Sequence, residues 1–235
     1  MVMSVAAIYD IHGNYYALKA VLKEIEQYDV QRVVIGGDLV WGPQPREVMD
    51  TLMKYKDNFN FIMGNADREV AFSNKEEKAQ DFVVDLNKWC AEQLTDTQIG
   101  FLKTLPESYT IYIDGFEEVL FVHGSPRSDT EAIRFDTPEE EVLEMVQGVK
   151  ENIIVCGHTH IQFNRFIGNK RIINAGSVGL QSRAKGACWL LLDKKAYLKV
   201  TEYNFEEAAN SILQGECPFK EDFAEHILNP PHVGP

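Results

Sequence analysis

Residues 153–160 read Ile-Ile-Val-Cys-Gly-His-Thr-His, a short apolar run that stops at a glycine and is followed by two histidines. The apolar run predicts a buried strand, and Gly157 ends it, so His158 and His160 are expected on the loop that follows. Imidazole nitrogens are common ligands of zinc, iron, nickel and related metals. The pair alone is a weak signal, because histidines on surface loops are usually ordinary loop residues.

Four more strand-like runs end in a polar side chain that can bind a metal. These side chains are Asp10, His12, Asp38, Asn65 and His123. In an open α/β sheet, ligands bind beyond the carboxyl ends of the strands, so residues far apart in sequence can meet there. Each residue alone is explained more simply as a helix cap, a turn residue or a structural histidine. Those explanations account poorly for all the strand ends together, and we therefore predict a shared metal site.

The size of this set indicates more than one metal. With His158 and His160 it contains three carboxylate or amide oxygens and four imidazoles, too many for one tetrahedral zinc. Such a set suits two metals about 3.5–4 Å apart with one bridging carboxylate. Two metals so placed lower the pKa of a bridging water and hold the oxygens of a phosphoryl group during in-line attack. Such a pair of metals is therefore suited to attack of water on a phosphoryl group.

The order of the predicted elements is that of an α/β protein. Strands at residues 4–9, 32–35 and 60–63 alternate with helices that begin near Tyr15 and Pro45. This alternation predicts a mainly parallel sheet with right-handed crossovers.

The remainder of the chain departs from this alternation. Residues 68–104 carry no strand pattern and are predicted to form a helical insertion beside the end of the third strand. A hairpin is predicted over residues 109–122, and a strand meander over residues 162–203. From about residue 205 the pattern indicates a short tail with one or two helices. Because no linker or internal repeat is visible, we expect a single domain over residues 1–235.

Charge and cysteine content narrow the class of protein. Lys and Arg number 23 against 36 Asp and Glu, a formal net charge of −13, which argues against strong binding to nucleic acid. The four cysteines form no Cys-x-x-Cys pair and are expected to be buried free thiols. The N-terminus lacks a signal-peptide pattern, and no apolar run approaches the roughly 18 residues of a membrane span. We therefore expect a cytoplasmic protein without membrane partners.

The ordered motifs resemble those of the calcineurin-like metallophosphoesterase superfamily, in particular its small prokaryotic phosphodiesterases. They read Asp10-Ile-His12, Gly37-Asp38, Gly64-Asn65-Ala66-Asp67, His123 and Gly157-His158-Thr159-His160. The resemblance covers about residues 4–203 and includes the small-residue loop at 173–179. It implies a four-layer α/β/β/α sandwich, in which two mixed sheets are flanked by helices.

The resemblance also implies the ligands and the reaction. One metal takes Asp10, His12, Asp38 and His160, and the other takes Asn65, His123 and His158 and shares Asp38. The ions are divalent or trivalent Mn, Fe, Zn, Ni or Mg. The implied reaction is hydrolysis of a small phosphorylated substrate by a metal-bridging hydroxide, with a phosphodiesterase as the leading expectation. A phosphatase acting on a nucleotide, metabolite or phosphoprotein is the alternative, and a non-catalytic scaffold of the same fold is the third hypothesis.

Two positions depart from the pattern of the family. Ala66 stands where many members carry a histidine that acts as general acid, so no catalytic acid can be assigned. Loss of such an acid typically costs about 10²–10⁴-fold for poor leaving groups, which favours aryl or nucleotide phosphodiesters or a phosphoanhydride. Trp41 stands where related protein phosphatases carry an arginine that binds phosphate. It is expected either to stack on a base or aryl group or to pack internally.

The remaining candidates for contact with substrate lie beside the motifs, and Asn65 is one of them in addition to its predicted role as a ligand. Asp67 either supplies a proton through a water or is a solvated loop carboxylate. Arg68 and Arg127 either bind the phosphate or are exposed arginines near an acidic helix. Ser125 is expected to be a turn residue, since water is the nucleophile in this mechanism.

Overall fold

The computed structural model describes residues 3–73 and 82–235, which form two β-sheets and eight α-helices. The strands are β1 (Val5–Ile8), β2 (Arg32–Ile35), β3 (Asn60–Phe61), β4 (Ser108–Ile113), β5 (Glu117–Val122), β6 (Ile153–Cys156), β7 (Phe163–Ile167), β8 (Lys170–Asn174), β9 (Ala187–Leu192) and β10 (Ala196–Thr201). The helices are α1 (Tyr15–Ile25), α2 (Pro45–Leu52), α3 (Asn65–Ala71), α4 (Phe82–Gln93), α5 (Asp96–Lys103), α6 (Glu139–Met145), α7 (Phe205–Gln214) and α8 (Lys220–Leu228). A short 3₁₀ helix, Met53–Tyr55, continues α2.

Both sheets are mixed. The first has the strand order β10-β9-β1-β2-β3, in which only β1, β2 and β3 run parallel. The second has the order β4-β5-β6-β8-β7, with β5, β6 and β8 parallel and an antiparallel strand at each edge. The prediction of a mainly parallel sheet is therefore right for the first three strands and wrong for the sheet as a whole.

The predicted meander over residues 162–203 is wrong as a single unit. β7 and β8 form a hairpin in the second sheet, whereas β9 and β10 return to the first sheet beside β1. The reason lies in β9, where every residue, including Trp189, is buried. Such a strand needs apolar cover on both faces, which a central position between β1 and β10 supplies.

Apolar side chains fill three successive interfaces of the sandwich. Helices such as α1 and α2 cover the outer face of the first sheet, where Leu18 and Val48 are fully buried. Tyr9 and Val155 belong to the cluster between the two sheets, and α6 covers the second sheet through Val142. The predicted α/β/β/α layering is confirmed.

Several local predictions also agree with the structure. The predicted insertion is helical in α3, α4 and α5, and its residues 74–81 lie outside the described part of the chain. All four cysteines are buried free thiols. Across the described ranges, no helix is long and apolar enough to cross a membrane.

Candidate metal centre

The predicted ligands meet at one edge of the sandwich, where strands of both sheets end. The first sheet contributes the residues after β1, β2 and β3, and the second contributes those after β5 and β6. The donor atoms of Asp10, His12 and His160 lie within 4.8 Å of one another. Those of Asp38, His123 and His158 form a second group of the same size. Residues spread over 150 positions of sequence are thus brought into two adjoining clusters.

Each of the two carboxylates lies close to imidazoles of both clusters. Asp38 Oδ2 is 3.3 Å from His123 Nε2 and 3.6 Å from His12 Nε2. Asp10 Oδ1 is 3.6 Å from His160 Nε2 and 3.9 Å from His123 Nε2. The position of Asp38 between imidazoles of both groups is what a bridging carboxylate requires.

Several buried oxygen and nitrogen atoms of the predicted ligands have no hydrogen-bond partner in the described ranges. They are Asp10 Oδ1, Asn65 Oδ1, His123 Nε2 and His160 Nδ1. An unpaired buried polar atom costs about 1–3 kcal/mol, so four at one place need an explanation. All four belong to predicted ligands and carry lone pairs that suit a transition metal. The residues present therefore fit a metal site, including Asn65.

Hydrogen bonds to backbone carbonyl oxygens orient two of the imidazoles. His12 Nδ1 donates to the carbonyl oxygen of Trp41 at 3.0 Å, and His123 Nδ1 donates to that of Gly36 at 2.9 Å. Each bond fixes the ring so that Nε2 faces the carboxylates. Histidine ligands in metalloproteins commonly donate their second nitrogen to a carbonyl or carboxylate in this way.

Burial and the neighbouring charges shift the pKa values of several side chains at the site. Burial and the nearby His160 lower the pKa of His12 to about 4. Burial also opposes a charge on His123, but Asp38 and Asp10 outweigh it and raise the pKa of His123 to about 10. Burial would raise the pKa of Asp38, yet His123 and His12 hold it well below its usual range. The surrounding charges therefore favour an ionised Asp38 carboxylate, which is the form that binds a metal.

Five of the clustered residues have a left-handed backbone, with φ between 45° and 65°. They are Asp10, His12, Asp38, His158 and His160. Residues other than glycine seldom adopt this conformation, although Asp and His tolerate it better than most. Such outliers gather at functional sites, where surrounding contacts hold them.

A cavity of about 480 Å³ opens beside the clusters. Its floor includes His12, Asp38, Asn65, His158 and His160. Its walls include Trp41, Ala66, Leu180, Ser182, His226 and residues 233–235. The volume lies within the range of about 300–1,000 Å³ that is typical of small-molecule sites.

The profile of the calcineurin-like phosphoesterase superfamily domain matches residues 3–196. The chain belongs to this superfamily. It is 26% identical over 236 residues to the uncharacterized protein MJ0912 of Methanocaldococcus jannaschii, covering 91% of this chain and 93% of that one. Members of the superfamily use divalent metals, and this calcineurin-like domain carries two candidate ligand groups.

Two solved structures share the fold. Protein PH1004 of Pyrococcus horikoshii superposes with a TM-score of 0.83 at 23% identity, over 96% of this chain and 97% of that one. A metallophosphoesterase of Sphaerobacter thermophilus gives 0.78 at 22% identity, over 97% and 99%. These likenesses confirm the calcineurin-like architecture.

Asp67 is a structural clamp of the calcineurin-like domain. The interpretation as a solvated loop carboxylate is wrong, because Asp67 is fully buried. Its oxygens accept backbone N–H bonds from Asp38 at 2.7 Å, Leu39 at 2.8 Å and Gly64 at 3.2 Å. Burial and the adjacent Asp38 raise the pKa of Asp67 to about 7. Asp67 thus holds the loop after β2 against the start of α3.

Two further residues brace the calcineurin-like site: Asn174 is the last residue of β8, and Ser177 lies in the loop that follows. Asn174 Nδ2 donates to the Gly157 carbonyl at 2.6 Å and to Thr159 Oγ1 at 3.0 Å. Ser177 Oγ donates to the Asp10 carbonyl at 2.8 Å. The resemblance of residues 173–179 to a family loop was the available sequence signal, but it assigned these two side chains no role.

Trp41 both packs internally and lines the cavity. Its ring lies edge-on to His12 at 5.7 Å, Phe82 at 5.8 Å and Phe223 at 5.9 Å between centroids. The indole therefore packs internally as one interpretation expected, and it remains partly exposed in the cavity. Its stacking on a base or aryl group stays a prediction.

The two candidate arginines are paired with carboxylates. Arg68 forms bonds of 2.7 and 3.1 Å with Asp129, and Arg127 forms an ion pair with Glu131. Ser125 donates to Glu131 at 2.5 Å and accepts from the backbone N–H of Arg127, as expected of a turn residue. Arg68, Ser125 and Arg127 lie along a separate depression, and none of them lines the 480 Å³ cavity.

Gly64→Ala is expected to disrupt this calcineurin-like centre. A Cβ at residue 64 would lie 2.2 Å from Asp38 Oδ1 and 2.4 Å from its backbone nitrogen. We expect at least a tenfold loss of metal affinity together with lower stability, measured by metal content after dialysis and by urea unfolding. The control is Gly100→Ala in α5, where the added Cβ would meet no other part of the structure within 4 Å. Alanine there should stabilise the helix by about 0.5–1 kcal/mol. Normal metal content in Gly64→Ala would contradict the geometry described.

Proposed function

We propose that the chain is a dinuclear metal-dependent phosphodiesterase that acts on a small phosphorylated substrate. The observation that carries this proposal is the convergence of four unpartnered buried donor atoms beside an open cavity. A scaffold that binds no metal would gain nothing from four unpaired buried atoms, because each of them costs free energy. All seven predicted ligand positions also keep ligand-type side chains, which counts against a scaffold without metals.

The proposed ligands divide as the clusters do. One ion would be held by Asp10, His12 and His160, and the other by Asn65, His123 and His158, with Asp38 between them. Two bound ions supply a nucleophilic water at neutral pH and offset negative charge on the phosphoryl oxygens. The carbonyl oxygens of Trp41 and Gly36 keep the imidazoles of His12 and His123 in the required orientation.

The cavity lining favours a diester over a monoester. No Lys or Arg among the described residues lines it, and Glu69 does. A phosphate monoester dianion gains most from arginine or lysine contacts, whereas a diester carries one negative charge. Ala66 lines the cavity and cannot protonate a leaving group, which favours esters whose leaving group is already stable.

A substrate comparison tests the proposal. Protein stripped with a chelator and reloaded with Mn²⁺ or Ni²⁺ should hydrolyse bis-(p-nitrophenyl) phosphate faster than p-nitrophenyl phosphate. His158→Ala should lower both metal content and rate by at least tenfold, because His158 belongs to one ligand group. His232→Ala, at an exposed histidine, should change neither.

Two outcomes would contradict the proposal. Faster turnover of the monoester would assign a phosphatase instead. Stoichiometric metal without hydrolysis of any ester in a panel of diesters and monoesters would favour the scaffold.

A further inference from the structure

One wall of the cavity comes from outside the part of the chain that matches the superfamily profile. The match ends at residue 196, whereas α8 and the segment after it contribute His226 and residues 233–235 to the lining. The superfamily core therefore explains the floor of the cavity but not this wall. The side of the substrate farther from the phosphate would meet residues particular to the C-terminal segment.

His226 is oriented as a neutral hydrogen-bonding group. Its Nε2 donates to the Gln181 carbonyl at 3.0 Å, so Nδ1 is the acceptor nitrogen of the neutral ring. Burial lowers the pKa of His226, which keeps the ring neutral near pH 7. Among the described histidines that line the cavity, His226 is outside both ligand groups.

Ser182, which lies within the matched part of the chain, adds a second polar group beside His226, since that histidine binds the adjacent Gln181 carbonyl. The residue is 2% exposed and lines the cavity, and its Oγ has no partner within residues 3–73 and 82–235. A buried hydroxyl without a partner costs free energy unless a ligand supplies one. This unpaired hydroxyl and His226 together point to a ligand with its own polar groups.

Apolar and aromatic side chains complete this wall. Trp41 lines the cavity and packs against Phe223 of α8, which fixes the helix beside it. Leu180 lies on the same side. A nucleobase placed against the tryptophan ring is stabilised by stacking, because every base presents a flat aromatic face.

The segment after α8 is fastened across the cavity rim. The backbone N–H of Arg183 donates to the Pro231 carbonyl at 2.8 Å, and its Nε donates to that of His232 at 2.8 Å. Arg134 also donates to the Pro235 carbonyl. These bonds place residues 233–235 where they bound the space between the metal ligands and α8.

We propose that His226 and Ser182, with Trp41, form a subsite that binds the nucleoside portion of a nucleoside phosphodiester. The inference rests on the proposed function of the metal centre. A nucleoside offers an aromatic face to Trp41 and hydroxyl or N–H groups to His226 and Ser182. A plain aryl or alkyl substituent would leave the two polar groups unpaired, and sites built to pair such groups discriminate strongly against ligands that lack them.

Two esters with a common leaving group test the subsite. In thymidine 5′-(p-nitrophenyl phosphate) and methyl p-nitrophenyl phosphate, water attacks phosphorus, the P–O bond to the aryl group breaks, and p-nitrophenolate leaves. We expect kcat/KM of the wild-type protein to be at least tenfold higher for the nucleoside ester. His226→Ala should lower that value about tenfold, mainly through KM, and Ser182→Ala about threefold. The methyl ester, whose substituent is too small to reach α8, should change far less.

Control variants separate the subsite from general damage. His226→Gln keeps an amide N–H for the Gln181 carbonyl and should retain more of the nucleoside preference than His226→Ala. His232→Ala replaces an exposed histidine on the neighbouring segment and should match wild type on both esters. If His226→Ala fails to fold, His226→Gln and Ser182→Ala carry the comparison.

The outcomes distinguish the subsite from the metal centre. Equal losses on both esters, or no loss on either, would overturn the subsite while leaving the phosphodiesterase proposal intact. A wild-type protein that prefers the methyl ester would also overturn it. Failure of the metal-loaded wild type to hydrolyse either ester would instead refute the proposed function.

Discussion

Asp38→Asn is expected to lower diester hydrolysis by roughly 10³-fold, about 4 kcal/mol in the barrier, and to remove at least one bound metal per chain. Asp38 Oδ2 lies 3.3 and 3.6 Å from nitrogens of the two ligand groups, so its charge serves both. Asparagine keeps the size of the side chain and can still accept the 2.9 Å bond from the Ala66 backbone N–H. The loss should therefore come from charge and metal binding rather than from altered packing.

The measurement combines metal content by mass spectrometry with steady-state rates at saturating metal. Asp129→Asn is the matched control, since Asp129 is a half-buried aspartate that binds Arg68 near the site but belongs to neither ligand group. We expect it to retain both metals and most of the activity. Full metal content and rate in Asp38→Asn would refute the assignment of Asp38 as the bridge.

Asp67→Ala is expected to destabilise the fold itself, by roughly 3 kcal/mol or more, even without metal. The substitution removes the acceptor for the buried backbone N–H groups of Asp38, Leu39 and Gly64 at once. Because domains are typically stable by only about 5–15 kcal/mol, this loss is a large fraction of the total. The loop that carries Asp38 would also lose its tether, so metal affinity should fall as well.

Urea unfolding of chelator-treated protein measures this effect. The midpoint should fall for Asp67→Ala while the slope remains unchanged. Asp29→Ala, at an exposed aspartate, should stay within about 0.5 kcal/mol of wild type. If the metal-free Asp67→Ala protein unfolds at the wild-type midpoint, Asp67 is not the clamp described above.

The sequence was sufficient to locate the candidate metal centre because each predicted ligand lies within four residues of the end of an apolar strand. The pairing of β1 with β2 brings Asp10 to Asp38, and that of β5 with β6 brings His123 to His158. Packing of the two sheets against each other then joins the two pairs at one edge. These are short-range patterns, in which the strand and its terminal residue are adjacent in the chain. The α/β/β/α layering followed from the resemblance rather than from periodicity, which by itself suggested a mainly parallel sheet.

Asp67 and His226 were misjudged or missed because their roles depend on contacts distant in sequence. Asp67 follows a turn-like Gly-Asn and reads as a loop residue, whereas in the structure α3 begins at Asn65 and directs Asp67 back to the loop after β2. His226 enters the cavity only because α8 packs on Trp41 through Phe223, 182 positions away. No local pattern records either contact.

The left-handed conformations of Asp10, His12, Asp38, His158 and His160 have a consequence for the balance between stability and activity. Each costs about 1–2 kcal/mol relative to an ordinary backbone, and bonds such as that from the His158 N–H to Asp10 Oδ2 at 2.9 Å offset part of the cost. The free-energy cost of this backbone strain is met during folding, before any ion binds. The ligands are therefore already held in position for the ions. By the same reasoning, the most stable sequence for this backbone would place glycine at these positions and would bind no metal.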